Sequence, residues 1–217
     1  APEPLGSTMK DLIERRLADP TLPMEEAFSQ QLKEEKLELP AGQFALFMNS
    51  MYAVDAYVRD YFRKAALDAL LAEKLPVTVF GEGWEKYSCG DEHSLRREPA
   101  VPFALSFERI AKAHVLLNVS PIFNRGMHDR VPAGMANYAV VLTDENPYLR
   151  RTFTDGKELL FYSLEKPDTL CEQAERALTD VRLREKIAAS AYETFEREYT
   201  WKRRAEQILA FAEEVEA

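Results

Sequence analysis

From residue 76 onward the chain alternates short, unbroken apolar runs with segments of helical spacing, and few folds accommodate that rhythm. The runs are Pro76-Val77-Thr78-Val79-Phe80, Ala113-His114-Val115-Leu116-Leu117-Asn118-Val119, Ala139-Val140-Val141-Leu142-Thr143 and Leu159-Leu160-Phe161-Tyr162. They are rich in β-branched residues, and turn formers stop the first three: Gly81, then Ser120-Pro121, then Asp144-Glu145-Asn146-Pro147. Strands buried on both faces read as continuous apolar runs, because no face needs to be polar. Helical segments are predicted over 107–112, 127–136 and 148–153, and three more over 167–178, 181–199 and from Trp201 to the end, with Thr200 as an N-cap. Strand, crossover helix and strand in repetition give an α/β fold, a Rossmann-like parallel sheet with flanking helices.

Before residue 76 nearly everything reads as helix. Segments 9–17 and 24–37 are closed by Asp19-Pro20 and by Pro40 with Gly42. A long helix is predicted over 44–71, where Phe47, Met51, Val54, Val58, Phe62, Ala65 and Ala69 recur at spacings of three and four. On its wet side Asp55 precedes Arg59, and Asp60 precedes Lys64, in the favourable order for ion pairs four apart. Tyr52, Tyr57 and Tyr61 at helical spacing point to half-buried packing rather than to a stacking platform. The expected organisation is a helical arm, 1–75, followed by the α/β domain, 76–217. The polar stretch 84–102, with Cys89-Gly90-Asp91, is expected to be an irregular loop.

Charge narrows the partners. With 28 basic and 37 acidic residues the net charge is -9, which disfavours a nucleic acid. Cys89 and Cys171 lie far apart with no metal-ligand spacing, so neither a metal site nor a disulfide framework is expected, and a reducing compartment fits. No apolar run approaches the roughly 20 residues of a membrane span. The opening Ala1-Pro2-Glu3-Pro4-Leu5-Gly6-Ser7 has no basic segment ahead of an apolar stretch, so no signal peptide is read there. The expected setting is the cytoplasm.

In an open parallel sheet, ligands bind beyond the carboxyl ends of the strands. Three such ends are polar here. Gly81-Glu82-Gly83 lets a backbone approach a ligand closely, and serves equally well as a plain turn, since the third glycine of a dinucleotide fingerprint is missing. Ser120 to Arg130 is predicted to open a helix whose free N–H groups suit a phosphate. Arg125, His128 and Arg130 add cations there, and Gly126 clears the approach, while Asp129 could instead hold Arg130 in a local ion pair. Asp144, Glu145 and Asn146 offer acceptors for sugar hydroxyls and are also ordinary turn formers.

Several blocks then carry a resemblance: Leu116-Leu117-Asn118-Val119-Ser120-Pro121, Gly126-Met127-His128-Asp129-Arg130-Val131, Gly134-Met135-Ala136-Asn137, and Ala139-Val140-Val141-Leu142-Thr143-Asp144-Glu145-Asn146-Pro147-Tyr148-Leu149. With Asp155-Gly156-Lys157, Phe161-Tyr162 and Tyr199-Thr200-Trp201, they resemble the glycosyl transferases group 1 family, nearest its branch related to bacterial spore-maturation glycosyltransferases. The similarity runs from about Val77 to Leu209. It implies a GT-B architecture whose C-terminal lobe binds a nucleoside diphosphate sugar, such as a UDP-sugar, with no obligatory metal or other cofactor. The acceptor site and the base of inverting members belong to the N-terminal lobe, for which this sequence has no room. The resemblance therefore implies a missing N-terminal lobe of the same protein and an isolated chain without activity.

The sequence also departs from that family. Its paired glutamates fall at Arg125 and Ala133, and a glycine is usual where Tyr138 stands. No residue is assigned as the catalyst. The expected nucleotide-sugar contacts are Gly81, Gly83, Ser120, Arg125, Gly126, His128, Asp129, Arg130, Asp144, Glu145 and Asn146. The cations would stabilise charge developing on the departing diphosphate. The alternative is a catalytically silent module that uses the fold as a binding or scaffold domain. A nicotinamide dehydrogenase is excluded because no GxGxxG follows the first strand.

Overall fold

The computed structural model describes residues 3–216, and the side chains of residues 6–215. Ala1 and Pro2, at the start of the expected helical arm, and Ala217, at the end of the last expected helix, lie outside the described residues. The first part of the chain forms α1 (Glu3–Ala18), α2 (Met24–Glu34), α3 (Ala41–Ser50) and α4 (Tyr52–Ala72). There follow β1 (Val77–Phe80), β2 (Leu95–Glu98), α5 (Phe103–Ile110), β3 (Val115–Asn118), α6 (Arg130–Ala136), β4 (Val140–Asp144), α7 (Pro147–Thr152) and β5 (Leu160–Tyr162). Helices α8 (Pro167–Thr179), α9 (Val181–Glu198) and α10 (Trp201–Glu216) complete the described chain.

The five strands pair in parallel throughout, as the apolar runs require, and they fall into two sheets rather than the single one expected from the strand rhythm. Strands β3, β4 and β5 lie side by side in that order, with Val115 opposite Val140 and Leu142 opposite Leu160. Strand β1 pairs with β2 instead, in the register Val77 to Leu95 through Phe80 to Glu98. Strand β2 was invisible in the loop predicted over 84–102, because Leu95-Arg96-Arg97-Glu98 has almost no apolar content. It is held from outside: Arg97 donates to Glu92 at 2.6 Å, to Trp84 O at 3.0 Å and to Tyr87 O at 2.8 Å, fastening the loop to the strand. One face of this pair rests on Leu67 and Leu71 of α4, while Thr78 and Phe80 face solvent.

The three-stranded sheet is covered on both sides, and the alternation along each strand sorts its residues. Val140, Leu142, Leu160 and Tyr162 pack with Leu12, Phe28, Val58, Phe62 and Leu170 from α1, α2, α4 and α8, and with Met51 between α3 and α4. Val141, Leu159 and Phe161 face the other way, toward Val131, Met135, Leu149, Phe153 and Ala191. The larger cluster thus joins residues of the helical arm to the sheet. Gly134 of α6 shows how close this packing is: a Cβ there would stand 2.5 Å from Val141 Cγ2 and 3.0 Å from Leu116 Cδ2. Thr200 caps α10, its Oγ1 accepting the Arg203 N–H at 3.3 Å.

The helix expected to be continuous over 44–71 is two helices, broken at Met51. Ser50 Oγ bonds back to Leu46 O at 3.1 Å, and the Met51 N–H tightens onto Met48 O at 3.0 Å, both of which disturb the helical ladder. The break lets Met51 bury completely while Phe47 stacks on Phe28 with ring centroids 3.9 Å apart. Beyond the break the buried line runs Val54, Val58, Phe62, Ala66 and Leu70, drifting one position from the expected Ala65 and Ala69. Tyr52, Tyr57 and Tyr61 fall off that line and are exposed rather than half-buried. The expected ion pairs also re-partner. Asp55 takes Arg16 at 2.9 Å, Arg59 takes Asp60 at 3.3 Å, and Lys64 takes Asp68 at 2.5 Å. A buried cation from α1 outcompetes a solvated neighbour on the same helix.

Candidate functional site

Strands β3, β4 and β5 end at one level, and the register sets Asn118 beside Thr143 and Asp144 beside Tyr162. These ends are polar where the strands are not, and their polar atoms are joined. Asn118 Nδ2 donates to Thr143 Oγ1 at 2.9 Å, and Tyr162 Oη donates to Asn118 O at 3.1 Å. Ser120 Oγ donates to Asn118 Oδ1 at 2.9 Å, while the Ser120 backbone N–H donates to Asp144 Oδ1 at 2.8 Å. Arg130, the first residue of α6, reaches into this network. Its Nε donates to Asn118 Oδ1 at 2.9 Å and its Nη2 to Ser120 Oγ at 3.2 Å. Nη1 makes no hydrogen bond among the described residues, so the guanidinium is aimed by one edge and open at the other.

Charge is concentrated here without being neutralised. Burial pushes the Asp144 carboxyl up to about 7, against the opposing pull of Arg130. Tyr162 is pushed well above its usual value, first by burial and then by Asp144. The Arg130 pKa is lowered by burial and then by the charge of Arg63, against the pull of Asp129, Asp144 and Tyr162. His128 is lowered by burial and then by Arg130, with Asp129 opposing and Arg63 adding to the effect. The His128 Nδ1 lies 3.1 Å from the Arg130 backbone N and 2.5 Å from Asp129 Oδ1. A neutral ring with its proton on Nε2 accepts from the Arg130 amide, and protonation at Nδ1 turns the same atom into a donor to Asp129.

The other expected contacts lie elsewhere or are occupied. The predicted helix over 127–136 begins only at Arg130; 120–129 is a series of turns, so the N–H groups following Gly126 do not open a helix. Gly126 donates to Phe123 O at 3.4 Å, and its own carbonyl accepts Asn146 Nδ2 at 3.2 Å. Arg125 is exposed and turns away to Glu26, with Glu25 at 3.8 Å. Asp129 is exposed and meets His128, not Arg130. Glu145 is paired with Arg150 at 2.5 Å. Asn146 caps α7 by accepting the Leu149 N–H at 2.8 Å, and Nδ2 donates to Phe123 O at 2.7 Å. Gly81 and Gly83 have φ of 121° and 90°, a region that favours glycine, and they form the turn that follows β1, outside the three-stranded sheet. Ser120, Arg130 and Asp144 are therefore the expected residues whose polar groups meet at the strand ends, with His128 joined to them through the Arg130 amide.

Asn118 and Tyr162 join the network, and the charge of Arg63 acts on it, without having been expected from the sequence. A polar residue inside the run Leu116-Leu117-Asn118-Val119 was the available signal for Asn118. Arg63 carried none, because it sits in the arm. That arm is stitched to the turns after β3. The buried Arg16 donates to Pro121 O at 3.3 Å as well as to Asp55, and Asn124 Nδ2 donates to Pro20 O at 2.9 Å. Of the two departures on α6 and after it, Ala133 is half-buried, and Tyr138 holds φ of 58° while stacking on Tyr192 at 4.3 Å. The usual glycine would take that left-handed backbone without strain. Among the described residues no group of three or more His, Cys, Asp or Glu side chains is placed to hold a metal ion. Two surface cavities, of about 350 Å³ beside Tyr148 and Tyr199 and about 450 Å³ beside Tyr87 and Cys89, share no residue with the network.

Residues 59–210 match the family described as glycosyl transferase-like. Among solved structures the chain is similar to Anabaena HepE crystallised in complex with UDP-glucose, with a TM-score of 0.59 and 12% identity over 69% of this chain and 44% of that one. HepE in complex with UDP and glucose gives a TM-score of 0.56 and 13% identity over the same shares. At such identities the likeness is one of fold, and the chain spans less than half the length of the proteins it matches. No curated protein matches it by sequence. No helix among the described residues is long and apolar enough to cross a membrane.

Proposed function

The chain belongs to the glycosyl transferase-like family, and from that premise we propose that the network at the ends of β3, β4 and β5 holds the diphosphate of a nucleotide sugar. The observation that carries this is the Arg130 guanidinium, fixed along one edge by Asn118 and Ser120 with Nη1 left for a ligand. A cation positioned in advance costs little reorganisation when negative charge develops on a departing diphosphate. His128 stands beside it with Nε2 unengaged among the described residues. Metal-independent charge stabilisation by these side chains, in the cytoplasm, completes the reading, and no residue of this chain is assigned as the catalytic base. In this reading the sugar and ribose hydroxyls meet Asp144 and its neighbours Glu145 and Asn146, while Gly81 and Gly83 border the diphosphate. The acceptor lies on a second lobe of a longer GT-B protein, in keeping with the 44% share of the HepE chain that is matched.

Calorimetric titration tests the donor site. The 217-residue chain should bind UDP measurably and uridine much more weakly, and Arg130→Ala should weaken UDP by about 1.5–3 kcal/mol, the scale of a charge-assisted hydrogen bond. Equal binding of UDP by a folded Arg130→Ala variant would return the network to a structural role and favour the silent module. The chain alone should transfer no sugar from UDP-glucose to any acceptor, and robust turnover would place the acceptor site within these residues.

A further inference from the structure

We propose that Arg63, on α4, is a further cationic contact for the same diphosphate, so that the helical arm contributes directly to the site it supports. This rests on the diphosphate reading of the network above. The placement comes from packing. Phe62, the adjoining residue, lies in the same buried cluster as Val119 and Tyr162. The Val119 carbonyl accepts Arg130 Nη2 at 3.5 Å, and Tyr162 bonds Asn118, the residue that orients Arg130. One helical line of α4 carries Asp55, Arg59 and Arg63, four residues apart, and Asp55 is anchored through Arg16 to the carbonyl of Pro121. Asp55, at one end of the line, is thus tied to the turns after β3, and the charge of Arg63, at the other end, acts on both Arg130 and His128.

Among the described residues Arg63 has only a distant counter-ion, shared with Arg59. Its nearest carboxylate oxygen is Asp60 Oδ1 at 4.0 Å, and that atom is held more closely by Arg59 at 3.3 Å. Burial, and then Arg59, lower its pKa, with Asp60 opposing. Two guanidinium side chains half out of water, repelling each other and only weakly neutralised, form with the protonatable His128 beside them an arrangement that an anion relieves. The diphosphate of the donor is the anion already placed there by the reading of Arg130. A nucleoside without phosphates would gain nothing from Arg63.

The test compares the parent chain with Arg63→Gln, Arg63→Lys and Arg130→Gln, each checked for an unchanged thermal melt, by titration with UDP and with uridine. Arg63→Gln should weaken UDP roughly ten-fold or more, with a shallower salt dependence, leave uridine unaffected, and be largely rescued by Arg63→Lys. In the same variant the His128 titration followed by NMR should move upward, because a repelling charge is gone. UDP binding that falls in Arg130→Gln but is unchanged in Arg63→Gln overturns this inference and leaves the diphosphate site standing. A parent chain that does not bind UDP overturns both. Should Arg63→Gln melt early, the comparison of UDP with uridine on Arg63→Lys decides: UDP binding that keeps its salt dependence while uridine is unchanged supports the charge contact, and equal losses for both ligands overturn the inference.

Discussion

Asp144 Oδ1 accepts the backbone N–H of Ser120 at 2.8 Å, tying the end of β4 to the first turn after β3. The bond fixes the start of the turns that lead to Arg130, and it does so with a carboxylate that is 3% exposed.

That burial makes stability depend on pH in an unusual direction for an aspartate. The folded pKa, about 7, lies above the ordinary value of 3.8, so the folded chain holds a proton that the unfolded chain releases. Stability is full below about pH 4 as far as this group is concerned, and declines as pH rises toward 7. Three pKa units correspond to about 4 kcal/mol. Asp144→Asn keeps an acceptor for Ser120 and removes the charge. It should match the parent chain at pH 4 and exceed it by up to that amount at pH 8 in urea denaturation. Parallel pH profiles for the two proteins would contradict the burial argument.

His128 titrates below its ordinary value because burial and Arg130 disfavour the imidazolium. Its contribution to folding is present above the ordinary value of about 6.5 and is lost as pH falls through the lowered folded pKa. For UDP the sign reverses, since only the protonated ring attracts the anion. The loss of UDP affinity in His128→Ala, relative to the parent at the same pH, should be larger at pH 5.5 than at pH 8. Calorimetry at the two pH values checks this, and an equal loss at both would assign His128 a packing role against Phe123.

Gly134 has no room for a methyl group. Val141 is fully buried, so its Cγ2 cannot retreat from a Cβ at 2.5 Å without moving the sheet. Gly134→Ala should destabilise the chain by about 1–3 kcal/mol despite the better helix propensity of alanine. Val141→Ala in the same chain should recover part of the loss, because it empties the space that the methyl group needs. Thermal unfolding of the two single variants and the double variant reads the coupling directly.

Arg16 is 1% exposed and bonds in two directions, to Asp55 and to Pro121 O, with Nε unpartnered. Lysine offers a single charged point and cannot span both acceptors. Arg16→Lys and Arg16→Leu should each lower stability, the latter by about 3 kcal/mol. Both should also weaken UDP binding, because the turns after β3 lose their tie to α1. Stability that falls with UDP affinity unchanged would separate the arm from the site.

The sequence by itself determined the elements and their class. A strand buried on both faces must be apolar throughout, and a packed helix must repeat its apolar positions every three to four residues, so β1, β3, β4, β5 and the helices after β5 were legible from local pattern. The meeting of Ser120, Arg130 and Asp144 was legible too, because the carboxyl ends of neighbouring parallel strands lie along one edge of the sheet. What the pattern does not carry is which elements meet. Tertiary structure alone decided that Leu95-Arg96-Arg97-Glu98 is a strand, since its stability comes from β1 and from Arg97 reaching across the loop. It broke the long helix at Met51 in favour of burying that side chain, and it sent Arg125 to Glu26 while turning Arg130 inward. It also placed Arg63, distant in sequence, within electrostatic reach of His128 and Arg130. Propensity and periodicity act over a few neighbouring residues, whereas a charge takes whichever partner the packing of distant segments brings nearest.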